Sequence, residues 1–451
     1  MENSQTLGIV LAAGKSKRMK SKKSKLLFDL AGNPVIKHVV QKLFDFCCDH
    51  VIVVTSPDLE DDMKSFGFDT IVQHEAKGTG NAVLAALSYL QQNRQFDNIV
   101  IMCGDAPLFK PETLTHLSQS RSLFSMLISK LDKEDIDLPY GRVEIAEAAQ
   151  ESMYREAKAI IEYKDATDLQ RQIIWMNSGV YKIKSELLLD LVPKIQPSAQ
   201  TGEYYLTEIV SMAASQNIRP IVIECPFNET IGFNTRIEFE RVSHLYQKDL
   251  QDSLRQLGVT FLQPDTIHLS FDTKIGQDTT IEGNVVIGPG VIIEDDVRIK
   301  SFSYVEHSTI NHGATIGPFA HIRGQTTIGA NAVIGNFVEL KNSIISEKTK
   351  IKHLSYLGDC TVGAQSNIGA GVITANYDGF AKYKTHIGER VSVGANTVLV
   401  APINIGCDAM TGAGSTITKD IAAGDLAISR TKQDNKTQWA IKFKSSKTKN
   451  S

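Results

Sequence analysis

At 451 residues the chain is too long for one ordinary core, so two domains are expected. A net charge of −3, with 22% charged and 42% apolar residues, leaves no basic surplus for nucleic acid or for a membrane surface. No apolar run is long enough to span a bilayer.

The opening Met-Glu-Asn-Ser-Gln lacks the basic and apolar regions of a signal peptide. Six cysteines (Cys47, Cys48, Cys103, Cys225, Cys360 and Cys407) show no CxxC spacing. They read as reduced thiols of a cytoplasmic protein, with neither a disulfide frame nor a zinc site.

Leu7–Ala12 is a short apolar run that reads as a buried strand, and it enters Ala13-Gly14-Lys15-Ser16-Lys17-Arg18-Met19. From Lys15 to Lys25, seven of eleven residues are basic. A strand feeding a glycine-containing basic loop suits phosphate, although a solvated loop shares the pattern. The spacing is neither GxGxxG nor GxxxxGK[ST], so dinucleotide and P-loop readings fail. Apolar stretches recur at Val51–Thr55, Asn98–Met102, Ser125–Ile128 and Gly179–Ile183 with helix-like segments between them. That alternation predicts a mostly parallel α/β sheet, which binds ligands at the carboxyl ends of its strands. Asp105 falls at such an end, as a Mg²⁺ ligand or a turn cap. Gly78-Thr79-Gly80-Asn81 precedes an Ala/Leu-rich helix over 82–90, whose N-terminus either meets a ligand or is simply capped.

Residues 237–257 are rich in helix formers, with Leu245, Leu250 and Leu254 roughly along one face, and predict a helical linker. It divides a first domain, 1–236, from a second, 258–451.

From Leu269 onward, aliphatic residues recur every sixth position: Leu269, Ile275, Ile281, Ile287, Ile293, Ile299, Val305. The phase slips by one at Ile310, again at Ile345 and again at Val362, and the ladder ends at Ile405, Thr411, Ile417. This is the hexapeptide signature of a parallel β-helix, whose coils bury a core only by stacking. Glycines that follow the aliphatic position, among them Gly276, Gly288, Gly329, Gly335 and Gly369, are expected at corners with positive φ. The main break, 375–386, is expected on a binding face. The tail beyond Thr431 is basic and polar, and its last residues are expected to be disordered.

LAAGKSKRM at 11–19, VQHEAKGTGNA at 72–82, CGDAPL at 103–108, Tyr140-Gly141-Arg142, Glu162, Met176-Asn177-Ser178-Gly179 and Gly232-Phe233-Asn234 occur in that order. They resemble the sugar-nucleotide pyrophosphorylases. With the β-helix behind them, the whole chain is similar to the bacterial bifunctional N-acetylglucosamine-1-phosphate uridyltransferase/glucosamine-1-phosphate N-acetyltransferases.

The resemblance implies a Rossmann-like α/β nucleotidyltransferase domain followed by a left-handed parallel β-helix. It also implies homotrimers with acetyl sites at subunit interfaces. For the first domain it implies that Leu11, Ala12, Ala13 and Gly14 line the nucleotide of UTP, that Gln73, Gly78 and Thr79 contact uracil and its sugar, and that Arg18 and Lys25 neutralise the phosphates. Gly141, Glu162 and Asn177 would hold N-acetylglucosamine-1-phosphate, with Asp105 and Asn234 on Mg²⁺. For the second domain it implies His353 as general base and Arg323 and Lys341 on the phosphate of glucosamine-1-phosphate. Tyr356, Asn367, Asn376 and Tyr377 would orient sugar and thioester. Ala370, Ala395, Ala413 and Arg430 would line acetyl-CoA.

The chain departs from the family at Ser16 and Lys17 (usually Gly and Thr), Cys103 (often aromatic), Gly324-Gln325 (usually Pro-Gly) and Ala395 (commonly Ser). Two alternatives stand beside the bifunctional reading. One is a single-activity pyrophosphorylase with a structural or regulatory β-helix; the other is a non-enzymatic scaffold.

Overall fold

The computed structural model describes residues 5–14, 16–146 and 155–448. Lys15 of the basic loop and the last three residues of the tail therefore lie outside the described residues. The chain divides into two compact units, Met1–Asp249 and Leu250–Ser451.

Among the described residues, the first unit is built on a nine-stranded sheet. Its strands are β1 (Gln5–Ala12), β2 (His50–Thr55), β3 (Asp69–Val72), β4 (Phe96–Cys103), β5 (Phe124–Lys130), β6 (Arg142–Ile145), β7 (Ala157–Ile161), β8 (Trp175–Lys184) and β9 (Ile221–Glu224). The order is β9-β5-β8-β4-β1-β2-β3, and β6 joins β8 to β7. β1, β2, β3 and β4 run parallel to their neighbours within the group, as does β9 to β5. β8 is antiparallel to both β4 and β5, so the sheet is mixed where the alternation predicted it mostly parallel. β1 and β4 read as unbroken apolar runs because both faces are covered: Leu7, Ile9, Ile99 and Ile101 enter one core, Val10, Val100 and Met102 another. The helices α1 (Val35–Phe46) and α2 (Thr79–Gln92) supply part of that cover.

Helix α3 spans Arg236–Gln256. Its leucines do not share one destination: Leu245 packs in the first unit beside Val242 and Tyr246, whereas Leu250 and Leu254 pack into the core of the second. No helix among the described residues is long and apolar enough to cross a membrane.

The second unit is a prism of three parallel sheets with ten, nine and eight strands among the described residues. Strands pair with the third one along, apart from Met410–Thr411 on Leu426–Ala427, so coil stacks on coil as in a left-handed β-helix. Every aliphatic rung of the ladder from Leu269 to Ile417 is buried, including Thr374 and Thr411. Thr279, Val285, Val291 and Val297 point inward with them.

The glycines need a different explanation from the one the pattern suggested. Gly317 has positive φ, but Gly276, Gly288, Gly329, Gly335 and Gly369 do not. A Cβ at Gly329 would stand 2.5 Å from the Glu347 nitrogen, and one at Gly335 would collide with the Lys352 carbonyl. These glycines let one coil lie against the next. The left-handed corners fall on other glycines, among them Gly290, Gly313 and Gly371, on Asp278, Asn284, Asp296, Asn331 and Asn342, and on Phe302, Phe319, Phe337 and Leu354. The three phenylalanines stack at centroid separations of 4.9 and 5.0 Å. At the tail, α4 (Trp439–Thr448) is helical, with Trp439 stacked on Phe443.

Candidate active sites

In the first unit the carboxyl ends of β1 and β4 are tied together by the Gly104 amide, which donates to the Leu11 carbonyl at 3.0 Å. Ala12 and Ala13 are buried where β1 ends, and Gly14 is exposed beyond them. Arg18 lies on the exposed face of a single turn, Lys17–Met19.

Lys25 is folded inward. Its ammonium donates to the Asp105 carboxylate, to the Phe233 carbonyl at 2.7 Å and to Asn234 Oδ1 at 2.8 Å. Its backbone amide donates to Ser16 Oγ at 3.1 Å, so Ser16 anchors the turn that Lys25 begins, Lys25–Leu27. Lys42 of α1 holds the 105–109 segment by donating to the carbonyls of Pro107 and Phe109, and burial pulls its pKa down to about 8. Asp105 and Asn234 thus present two hard oxygens to one cation. No cluster of three or more His, Cys, Asp and Glu among the described residues would hold a metal by itself. Two protein oxygens, with the remaining positions left to phosphate and water, suit Mg²⁺, so the donor set fits that ion.

Gln73 is buried and donates to Asn81 Oδ1 at 2.8 Å. Gly78 sits at φ 107, and a Cβ there would meet the Tyr204 carbonyl at 2.5 Å. Thr79 Oγ accepts from the Leu206 amide at 3.0 Å, and the Gly80 amide donates to the Tyr204 carbonyl at 2.8 Å. Part of the α2 N-terminus is therefore already occupied by the 204–206 segment.

Gly141, Glu162 and Asn177 come together across β6, β7 and β8. The Asn177 amide donates to the Gly141 carbonyl at 2.9 Å, and Asn177 Nδ2 donates to the Tyr181 hydroxyl at 2.7 Å. Glu162 accepts from Thr207 Oγ at 2.8 Å, and burial raises its pKa. The fully buried Arg142 holds the preceding loop by donating to the carbonyls of Tyr140, Leu138 and Ile136. Cys103 is half-buried, and desolvation pushes its thiol up to about 12.

In the second unit the coil register builds the site. Arg323 lies beside Lys341, and Glu339 beside Tyr356. The Arg323 guanidinium pairs with Glu339, its Nε at 3.1 Å. Lys382, from the 375–386 break, comes up to Lys341. The Lys382 ammonium first, and the Arg323 guanidinium after it, hold Lys341 below its ordinary range. Lys341 thus lies beside two other cations, one of them, Arg323, paired with Glu339. Lys382 and Glu339 were not singled out from sequence.

In the break itself, Asn376 is buried and donates to Asp359 at 2.6 Å, and Tyr377 is exposed, its hydroxyl donating to the Gly379 carbonyl. Gly358 leaves room for the Tyr356 ring and the Asn376 amide, both of which a Cβ would strike. His353 ends a neighbouring strand, Lys350–His353, with Nδ1 2.7 Å from Asn336 Oδ1. Asn367 pairs with Lys350 of that strand. Ala370, Ala395 and Ala413 follow close-packed glycines: the Asn396 amide donates to the Ala370 carbonyl at 2.7 Å, and the Gly414 amide to that of Ala395 at 2.8 Å. A polar backbone rim thus runs along three coils. Arg430 is exposed beyond the last strand. Gly324 and Gln325 take φ values of 68 and 59, which a proline at 324 would forbid.

Three family models match parts of the chain. Residues 8–167 match the MobA-like NTP transferase domain, residues 272–307 the bacterial transferase hexapeptide (six repeats), and residues 304–405 the GMPPB C-terminal domain. The bifunctional protein GlmU of Agrobacterium fabrum is 41% identical over 446 residues, 98% of this chain and 96% of its own length. Those of Zymomonas mobilis and Paramagnetospirillum magneticum are 38% and 39% identical, and each alignment covers 98% of both chains.

Proposed function

The chain belongs to the family of the bifunctional GlmU proteins, and on that footing we propose where its two reactions take place and which residues carry them. It is a bifunctional transferase of UDP-N-acetylglucosamine biosynthesis. Acetyl transfer from acetyl-CoA to glucosamine-1-phosphate gives N-acetylglucosamine-1-phosphate and CoA. Uridylyl transfer from UTP then gives UDP-N-acetylglucosamine and pyrophosphate, a supply of peptidoglycan and lipopolysaccharide precursors.

Uridylyl transfer belongs to the first unit. The sugar phosphate attacks the α-phosphorus of UTP in line, and pyrophosphate leaves. Positioning and charge neutralisation carry such a transfer, so no protein nucleophile is required. Leu11, Ala12, Ala13 and Gly14 follow the nucleotide with their backbone; Gln73, Gly78 and Thr79 meet uracil and its ribose. Gly141, Glu162 and Asn177 hold the amino sugar. Asp105 and Asn234 would hold a Mg²⁺ ion, which when bound would offset the negative charge of the phosphates. Lys25 exchanges its carboxylate partner for the triphosphate, and Arg18 closes on the pyrophosphate from the exposed turn.

Acetyl transfer belongs to the second unit. His353 takes a proton from the amine of glucosamine-1-phosphate. The amine nitrogen bonds to the thioester carbonyl carbon, the carbon–sulfur bond breaks, and the proton ends on the CoA sulfur. Arg323 and Lys341, joined by Lys382, bind the sugar phosphate. Tyr356, Asn367, Asn376 and Tyr377 orient sugar and thioester. Ala370, Ala395 and Ala413 line the acetyl-CoA groove, and Arg430 meets its phosphates. We further propose a homotrimer with each acetyl site shared between neighbouring prisms, working in the cytoplasm.

What supports this reading is the full-length likeness to GlmU proteins, together with Arg323 and Lys341 side by side on adjacent coils. The test supplies the full chain with glucosamine-1-phosphate, acetyl-CoA, UTP and Mg²⁺, without any N-acetylated sugar. The expected products are free CoA thiol and UDP-N-acetylglucosamine. Pyrophosphate release that requires added N-acetylglucosamine-1-phosphate, with no thiol, would leave a single-activity pyrophosphorylase.

A further inference from the structure

We propose that Asn336 is a positioning residue for acetyl transfer: it fixes the His353 imidazole in the tautomer that carries its proton on Nδ1 and leaves Nε2 free. The inference rests on the base role given to His353 above and adds to it the group that makes the ring a base at a defined atom.

His353 Nδ1 stands 2.7 Å from Asn336 Oδ1. A carboxamide oxygen only accepts, so Nδ1 is the donor and the lone pair faces outward on Nε2. In water a free imidazole favours the opposite tautomer, and His353 is an exposed side chain, so nothing intrinsic to the residue selects this state.

The contact is built into the coil. Val333 pairs with Lys350, Ile334 with Ile351 and Asn336 with His353, one coil apart. Between them, Gly335 lets the strands approach, because any Cβ there would collide with the Lys352 carbonyl. The Asn336 carbonyl accepts from the Leu354 amide at 3.0 Å, so the same asparagine holds both the backbone after His353 and the ring itself. The His353 carbonyl accepts from Ser355 Oγ at 2.9 Å and from the Gly371 amide at 3.3 Å. The next corner is braced by the Phe337 ring stacked on Phe319. The imidazole is thus held at its backbone on both sides and at one ring nitrogen, with the other available to a substrate amine.

The experiment compares the full chain with Asn336→Ala, Asn336→Asp and His353→Ala. Acetyl transfer is followed by thiol release, uridylyl transfer serves as a folding control, and ¹⁵N-histidine spectra are recorded at a pH where the ring is neutral. His353→Ala should lose about 100-fold or more, the lower end of what a general base contributes. Asn336→Ala should lower kcat about tenfold, only part of the 100-fold or more that the base itself contributes, with both KM values within about twofold. Its His353 resonance should move from the Nδ1–H to the Nε2–H pattern. Asn336→Asp keeps an acceptor oxygen and should retain the wild-type tautomer and most of kcat. Unchanged kcat in Asn336→Ala, or a wild-type spectrum with Nε2 protonated, overturns the proposal. Full acetyl transfer in His353→Ala overturns the base assignment itself, and the catalytic role of Asn336 with it.

Discussion

At the residue scale, Lys25 shows how little of a site's geometry a motif reveals. In sequence it is one of seven basic residues in a loop of eleven. In the fold it turns inward, onto Asp105, Phe233 and Asn234, residues 80 to 209 positions away. Lys25→Ala should therefore reduce uridylyl transfer by about 100- to 1,000-fold, the usual cost of one preorganised electrostatic donor, and leave thiol release unchanged. Glu162 gives a second prediction. Burial raises its pKa, so the folded state binds more protons than the unfolded one just above the ordinary carboxylate range. Stability is then lost as pH rises through that window, and the penalty is complete above the folded pKa. Glu162→Gln keeps the acceptor for Thr207 and removes the penalty. Its midpoint of thermal unfolding should exceed that of the wild type at about pH 8, and the gap should close towards about pH 4. A gap that widens on acidification would contradict the assignment. What the sequence concealed here was partners: Lys382 sits in a stretch read as a whole, and Asn336 and Glu339 drew no attention beside His353 and Arg323. Their signal was present, since Ile334 and Ile351 fall 17 residues apart on the ladder, and that offset stacks Asn336 on His353.

At the scale of elements, the six-residue period was legible because one physical demand, a narrow interior, repeats in every coil. The reason for the glycines was not, because two constraints select the same residue. Left-handed φ and close approach of backbones both favour glycine, and only coordinates separate them. The antiparallel β8 was hidden for a related reason: a strand buried on both faces carries no mark of its direction. Two substitutions test the coil account. Ile334→Ala empties a fully buried rung and should destabilise the second unit by about 2–5 kcal/mol. Gly335→Ala, by forcing Lys352 away, should abolish most acetyl transfer with uridylyl transfer intact. Wild-type thiol release by Gly335→Ala would mean that close approach of these two coils is not needed.

At the scale of the whole molecule, two compact units divide the chain near Asp249, and each contains its own constellation of charged groups. The full-length resemblance made both constellations legible, while composition and charge alone said only that a chain of this size has two cores. Independence of the two sites is the central claim, and a crossed pair of variants measures it. Lys25→Ala and His353→Ala are assayed as full chains, each for pyrophosphate release from UTP with N-acetylglucosamine-1-phosphate and for CoA thiol release from acetyl-CoA with glucosamine-1-phosphate. The account predicts a double dissociation: Lys25→Ala loses only pyrophosphate release, His353→Ala only thiol release, and an equal mixture of the two variants restores the whole sequence from glucosamine-1-phosphate to UDP-N-acetylglucosamine. Loss of both activities in either variant, at unchanged thermal stability, would contradict it.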